Sequence, residues 1–299
     1  MLVRYSFVAL AALIGVTSAL DLKEQALLEV RVSRRAAKTT SSKKGLGYNT
    51  ASLLSQFERR KSLAWAYNWA NSVTNGNQPA LSPEVDFVPM LWGSDATGWS
   101  AAAKKRIAQG GKYLLGFNEP DLPSQSNITP ARAAQLWKQN MEPFVGKARL
   151  VSPAVTNGAF TSDGAPMGVN WMADFLGNCT PCHIDAIALH WYDAAWNTGY
   201  FFNYLTDAHK KFNKPIWLTE VRIRYTPCSG QCGVLIHLAK KFAGSGTTAE
   251  QQAFLKKVIP WLEKTPWIQR YAGFGAFAGQ YVNANGGLTA IGDTYMRTV

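Results

Sequence analysis

The stretch KYLLGFNEPDLP, residues 112–123, changes character halfway along. It starts as a buried apolar strand and ends on Asn118, Glu119, Pro120 and Asp121. Proline cannot donate to a strand ladder, so the strand stops there. Asn, Pro and Asp are ordinary turn residues, and a plain loop accounts for them. A carboxylate at the tip of a rigid strand equally suits a catalytic acid set at the edge of a cleft. The rest of the chain has to decide.

Seven further apolar runs of the same kind occur: GLGYN (45–49), LAWAYNWA (63–70), VDFVPMLW (85–92), RLVSPAV (149–155), IDAIALHWY (184–192), PIWLTEV (215–221) and YAGFGAFA (271–278). Helical patterns lie between them. Thr129 caps one with Pro130 at its first position, and Ala133, Leu136, Trp137 and Met141 share a face. TTAE (247–250) is a capping box ahead of Phe254, Val258, Trp261 and Leu262, and Pro260 is expected to kink that helix. Phe201, Leu205, Ala208 and Phe212 form another stripe. Strands this continuously apolar are covered on both faces, which implies a parallel sheet wrapped by helices. Eight strands in a body of this size give an α/β fold, a single-domain (β/α)8 TIM barrel. A doubly wound open sheet is the alternative, but no Gly-rich phosphate loop follows any strand.

Barrel chemistry sits at the C-terminal ends of strands. The polar or aromatic residues there are Tyr48 and Asn49, Asn68 and Trp69, Trp92, Asn118 and Glu119, His190, Trp191 and Tyr192, and Glu220. Two are carboxylates. A lone Glu220 reads as a structural ion pair with Arg222 or Arg224, and His190 as a core histidine. Two glutamates at one mouth are what glycosidic bond cleavage needs, one protonated to release the leaving oxygen and one ionised to attack or to activate water. Burial and mutual repulsion push such a pair's pKa values apart. Aromatic rings stack on sugar faces, whereas Trp137 and Trp261 on helices read as core. No GxSxG, HExxH or Walker loop is present, and four scattered histidines offer no metal site. No metal or cofactor is expected.

The net charge is +12, but residues 45–299 hold 23 Lys/Arg against 16 Asp/Glu, a net of +7. No basic run interleaved with aromatics occurs in the body of the chain, so neither nucleic acid nor a membrane is an expected partner. Residues 1–19 read as a signal peptide, with Arg4, an apolar stretch from Ser6 to Val16, and Thr17 and Ala19 suited to cleavage. Residues 20–44 read as a flexible tail or a propeptide, with Arg34-Arg35 and Lys43-Lys44 as processing sites. The domain itself is 45–299. Secretion, extracellular or cell-wall associated, follows as the expectation, and with it disulfides rather than zinc for the four cysteines. Two local bridges are favoured among three connectivities, Cys179–Cys182 and Cys228–Cys232. Sequons stand at Asn127 and Asn178. Oligomeric state is not legible.

GFNEPD (116–121), SPAV (152–155), IDAIALHWYD (184–193) and KPIWLTE (214–220) together resemble the glycosyl hydrolase catalytic core of glycoside hydrolase family 128, secreted β-1,3-glucanases of fungal type. The resemblance spans roughly residues 45 to 285. It implies a retaining enzyme with Glu119 as acid/base and Glu220 as nucleophile, and a β-glucan as partner; a secreted endo-acting β-1,3-glucanase is the leading expectation. It implies also that Asn118 holds the sugar 2-hydroxyl, and that His190 and Tyr192 contact the sugar or orient Glu220. The chain departs from the pattern after Glu220, in VRIRYTPCSGQC, and at Phe277, which stands where a tryptophan is implied and joins the candidate substrate contacts. Alternatives are a β-glucan-binding protein without activity and a hydrolase of another β-linked glucan.

Overall fold

The computed structural model describes residues 43–73, 81–223 and 246–299. Lys43–Val299 form one compact unit. Its strands are β1 (Lys44–Tyr48), β2 (Trp65–Tyr67), β3 (Asp86–Phe87), β4 (Tyr113–Leu115), β5 (Arg149–Val155), β6 (Ala186–Asp193), β7 (Ile216–Ile223) and β8 (Ile268–Ala276). All named pairings are parallel, in the order β3-β2-β1-β8-β7-β6-β5-β4. The helices are α1 (Ser55–Arg59), α2 (Trp99–Ala108), α3 (Pro130–Asn140), α4 (Gly168–Asn178), α5 (Thr198–Phe212), α6 (Thr248–Lys264) and α7 (Ala290–Arg297). Among the described residues no helix joins β2 to β3, and none is long and apolar enough to cross a membrane.

The α/β class and the eight parallel strands agree with the sequence. The ladder, however, is open between β3 and β4, so the regular closure of a TIM barrel is not seen. β3 is two residues long, and Pro89 beyond it has no N–H to give. Three bonds from the following segment span the gap instead: Leu115 N to Pro89 O (2.9 Å), Leu91 N to Leu115 O (3.0 Å) and Asn118 N to Trp92 O (2.8 Å).

The sheet is strongly curled. In a flat sheet β2 and β7, or β3 and β8, would stand about 14 Å apart, three strand spacings. Yet the Tyr67 hydroxyl of β2 lies 2.9 Å from Thr219 O of β7, and Arg270 of β8 reaches Asp86 of β3 at 2.8 Å. Curling sorts alternate residues into two layers. Trp65, Tyr67, Val151, Ala186, Ala188, Trp217 and Ala272 pack inside the curl. Leu114, Leu150, Ile187, Leu189, Ile216 and Leu218 face the helices.

Both helix starts read from sequence are present. Thr129 accepts from Arg132 N with Pro130 in the first turn, and Thr247 and Glu250 close a full capping box. The basic pair Lys43-Lys44 departs from the reading of 20–44 as tail or propeptide. Lys44 opens β1 and is buried. Its ammonium donates to Thr298 O and Met296 O at the end of α7, and that of Lys43 to Leu262 O and Thr265 O at the end of α6. The charges serve the carbonyl-rich ends of two helices, so in the folded protein the pair is part of the sheet. Cys179 and Cys182 are joined by a disulfide; Cys228 and Cys232 lie outside the described residues.

Candidate active site

The C-terminal ends of the strands surround a cleft of about 720 Å³. Glu119 and Glu220 line it, with Asn49, Trp69, Trp92, Asn118, Tyr192 and Phe277. Both glutamates are almost wholly buried, and each is brought there by a local departure from regular strand geometry.

On β7 the departure is a bulge. Leu218 pairs with Leu189 but Glu220 with His190, which leaves Thr219 as an extra residue. Strict alternation from Trp217 inside and Leu218 outside would send Glu220 outward to the helices. The inserted residue shifts the phase, so Glu220 and Arg222 both turn into the curl. On the β4 side, Asn118 forms a single bridge with Ala154, and Glu119 N donates to Ala154 O at 2.8 Å. Glu119 has φ +41°, a left-handed conformation uncommon in a side-chain-bearing residue. Asp121 explains how this turn is held. Its buried carboxylate accepts from Thr156 N (3.0 Å), Thr156 Oγ1 (2.6 Å) and Gly168 N (2.8 Å), binding it to the loop after β5 and the start of α4. Burial pushes the Asp121 carboxyl up, and these hydrogen bonds oppose that push. Gly168 itself, at φ +55°, has no room for a Cβ, which would lie 2.1 Å from Gly158 O.

One histidine ties the glutamates together. His190 Nδ1 lies 2.8 Å from Glu119 Oε1 and 3.3 Å from Glu220 Oε2. One donor atom from each of the three residues lies within 4.8 Å of the other two. Burial lowers the His190 pKa, but the Glu220 charge, the Glu119 hydrogen bond and the Glu119 charge outweigh it, and the net shift is upward. This trio is the group of carboxylates and imidazole that most resembles a metal site among the described residues, yet its oxygens are already engaged. Trp69 Nε1 donates to Glu220 Oε1 at 2.8 Å, the Tyr67 hydroxyl lies 3.3 Å from the same oxygen, and the Tyr192 hydroxyl donates to Oε2. Burial and the Glu220 charge hold both phenols far above their usual pKa, so they remain O–H donors.

The aromatic wall is continuous. Trp69 stacks on Phe277 with ring centres 5.8 Å apart, and Phe274 packs edge-on against both Trp69 and Tyr192. Asn118 Nδ2 donates to Gln125 Oε1 at 3.3 Å, while its buried Oδ1 has no protein partner.

Three residues read as substrate contacts lie elsewhere. Trp191 is fully buried on the opposite face of β6, packed against Tyr200, Phe201 and Tyr204. Tyr48 is buried with its hydroxyl on Val73 O, and Asn68 uses its side chain to bond Ser72 O and Ala70 N. Each is one residue out of phase with the cleft, beside Asn49, Trp69 or Tyr192, which are in phase. Tyr67, Gln125, Arg222, Phe274 and Gln280 were not anticipated. Alternation from Trp69 identifies Tyr67; the others needed the loops.

Residues 45–295 match the family model of the glycosyl hydrolase catalytic core. The curdlan-specific exo-β-1,3-glucanase of Blastomyces gilchristii, a subgroup III member of glycoside hydrolase family 128 solved with glucose, is 34% identical; the match covers 85% of this chain and 97% of that one, with a TM-score of 0.68. A subgroup I endo-β-1,3-glucanase of Amycolatopsis mediterranei, a mutant solved with laminaripentaose, is 26% identical over 86% of this chain and 99% of that one, with a TM-score of 0.67. Alkali-sensitive linkage protein 1 of Schizosaccharomyces pombe is 28% identical over 274 residues, 86% of this chain but 45% of that protein, so the chain spans less than half the length of this relative. With two buried glutamates facing one aromatic cleft and these likenesses along nearly all of the described fold, the chain belongs to the glycosyl hydrolase catalytic core family, as a glycosidase of glycoside hydrolase family 128.

Proposed function

We propose that the protein is a secreted β-1,3-glucanase that cleaves its substrate with retention, by double displacement. The observation that carries this is the spacing of Glu119 and Glu220, whose nearest oxygens lie within 4.8 Å. Retaining enzymes hold their carboxyl groups about 5 to 5.5 Å apart, whereas inverting enzymes leave room for a water at about 6.5 to 9.5 Å. Substrates of the two solved relatives, curdlan and laminaripentaose, supply the choice of linkage. The reading of residues 1–19 as a signal peptide supports the location.

The environments of the two glutamates support a division of roles. Glu220 receives N–H and O–H donors from Trp69, Tyr67 and Tyr192, an arrangement that orients an anionic carboxylate as a nucleophile. Glu119 is fixed by His190 and a left-handed backbone at the opposite wall, as the acid that protonates the leaving oxygen. Attack by Glu220 on the anomeric carbon breaks the glycosidic bond, and the Glu119 proton goes to the departing hydroxyl. Glu119, now a carboxylate, takes a proton from water, and that water displaces Glu220 to release the β-anomer. No cofactor enters either step. His190 bridges both carboxylates while the charge passes between them, and Asn118, which lines the cleft, holds the sugar 2-hydroxyl.

The test is proton NMR of the first products released from laminari-oligosaccharides. Appearance of the β-anomer ahead of mutarotation supports the proposal. The α-anomer would remove retention from it, and hydrolysis of another β-linked glucan in preference would change the substrate.

A further inference from the structure

The cleft contains a cation whose purpose the two glutamates do not explain. Arg222 lies two residues beyond Glu220 on β7, in phase with it because both follow the bulge at Thr219. It is exposed and lines the cleft. With the Gln280 amide turned so that its oxygen faces the guanidinium, that oxygen accepts from Arg222 Nη1 (3.1 Å) and Nη2 (2.7 Å), while its nitrogen donates to Phe274 O at 2.9 Å. The guanidinium also lies over the Phe274 ring, 5.6 Å from its centre. Neither partner is an anion, and residues 221–249 contain no Asp or Glu. Among the described residues the charge is therefore held in place without being neutralised. It opposes the upward push that burial gives the Tyr192 phenol, so it acts at the Glu220 end of the cleft.

A guanidinium carries five N–H donors in a planar fork. Gln280 takes one from each terminal nitrogen, and Phe274 covers one face. The other edge of the fork remains, formed by Nε–H and the second N–H of the terminal nitrogen beside it. These two N–H bonds are parallel, a spacing that suits two neighbouring oxygens of a sugar. We infer that Arg222 is a specificity-determining residue that holds two neighbouring oxygens of the bound glucan, a free 2- or 4-hydroxyl and the 3-linked oxygen beside it, and that Gln280 is the positioning residue that aims it. The inference rests on the β-1,3-glucanase reading and adds a sugar contact to it.

The test compares wild type, Arg222→Met, Arg222→Lys and Gln280→Met on laminaritriose to laminarihexaose. Arg222→Met is expected to raise KM about tenfold with kcat within about twofold, the loss of charge-assisted hydrogen bonds made equally in ground and transition states. Lysine keeps the charge but not the fork and should recover only part of the affinity. Gln280→Met should fall between lysine and wild type. Thermal unfolding checks that each variant is folded. If Arg222→Met leaves KM unchanged, or lowers kcat alone, the inference is overturned while the glucanase reading stands. If wild type releases nothing, laminarihexaose binding is measured by calorimetry on the same four proteins. Weaker binding by Arg222→Met supports the hydroxyl contact without the activity, and equal or absent binding overturns both.

Discussion

Trp69 Nε1 donates to Glu220 Oε1 across 2.8 Å, from a tryptophan whose backbone is left-handed at φ +57°. The indole fits because Gly47 on β1 has no side chain; a Cβ there would lie 2.7 Å from the Trp69 ring. Gly47→Ala is therefore expected to push the indole off the nucleophile. Its kcat/KM should fall about tenfold, the worth of one hydrogen bond to a charged group. Trp69→Phe, which keeps a ring but loses the N–H, should show a similar loss in the same kinetic assay.

The two glutamates should separate by leaving group. Glu119→Gln is expected to lose about a thousandfold on laminari-oligosaccharides but much less on an aryl β-glucoside whose phenolate leaves without a proton. Glu220→Gln should lose activity on both. Equal losses for the two variants on the aryl substrate would refute the division of roles.

His190 should give stability an acid-side preference. Its folded pKa is raised above the ordinary value of 6.5, so between the two values the folded state binds more protons than the unfolded state. The contribution is complete below about pH 6.5 and is lost as pH rises through the raised value. The Tm difference between wild type and His190→Gln should accordingly shrink on going from pH 5 to pH 9. Calorimetric unfolding across that range measures it.

Lys44 should act in the opposite direction. Burial lowers its pKa from 10.5 to about 8, against the attraction of Glu263. Between those values the unfolded chain binds the extra proton, so stability rises with pH across that window. Integrated, the effect is of order 3 kcal/mol. Lys44→Met should flatten the rise, as read from urea unfolding at pH 7.5 and pH 10.

At the far end of the strands, Asp86 binds both Arg106 (2.7 Å) and Arg270 (2.8 Å), and the Arg270 guanidinium lies over the rings of Tyr113 and Trp217, 4.6 and 4.8 Å from their centres. Asp86→Ala leaves a largely buried guanidinium without its anion. A loss of about 3 kcal/mol is expected, with kcat/KM unchanged because the cleft lies at the other end. A fall in activity without a fall in Tm would contradict this.

The alternation of HWY already separates Trp191 from His190 and Tyr192, and that of YNW separates Asn68 from Tyr67 and Trp69. Those distinctions were legible, because side chains on a strand alternate whatever surrounds them. Not every polar strand end therefore faces the cleft. Arg222, Gln280 and Phe274 were not legible, since their contacts join the end of β7 to the loop after β8. The disulfide at Cys179 and Cys182 was legible from their spacing together with the expectation of secretion.

Eight apolar strands, their helices and caps, and two glutamates at strand ends can be read from the residues alone, because burial and capping are written in local residue types. The tertiary structure decided which way Glu220 faces. By alternation alone, IWLTE sends that carboxylate out to the helices; the extra residue Thr219, accommodated only in the register of β7 against β6, turns it inward to His190. It decided also that β3 and β4 do not pair directly: β3 is two residues long and Pro89 has no N–H, so bonds from the segment after β3 span the gap. In KYLLGFNEPDLP, Asp121 gained its role only when the loop after β5 and the start of α4 were in place to donate to it. A chain pattern can say that an acid stands at a strand's end, but a bulge or a distant loop says where it points.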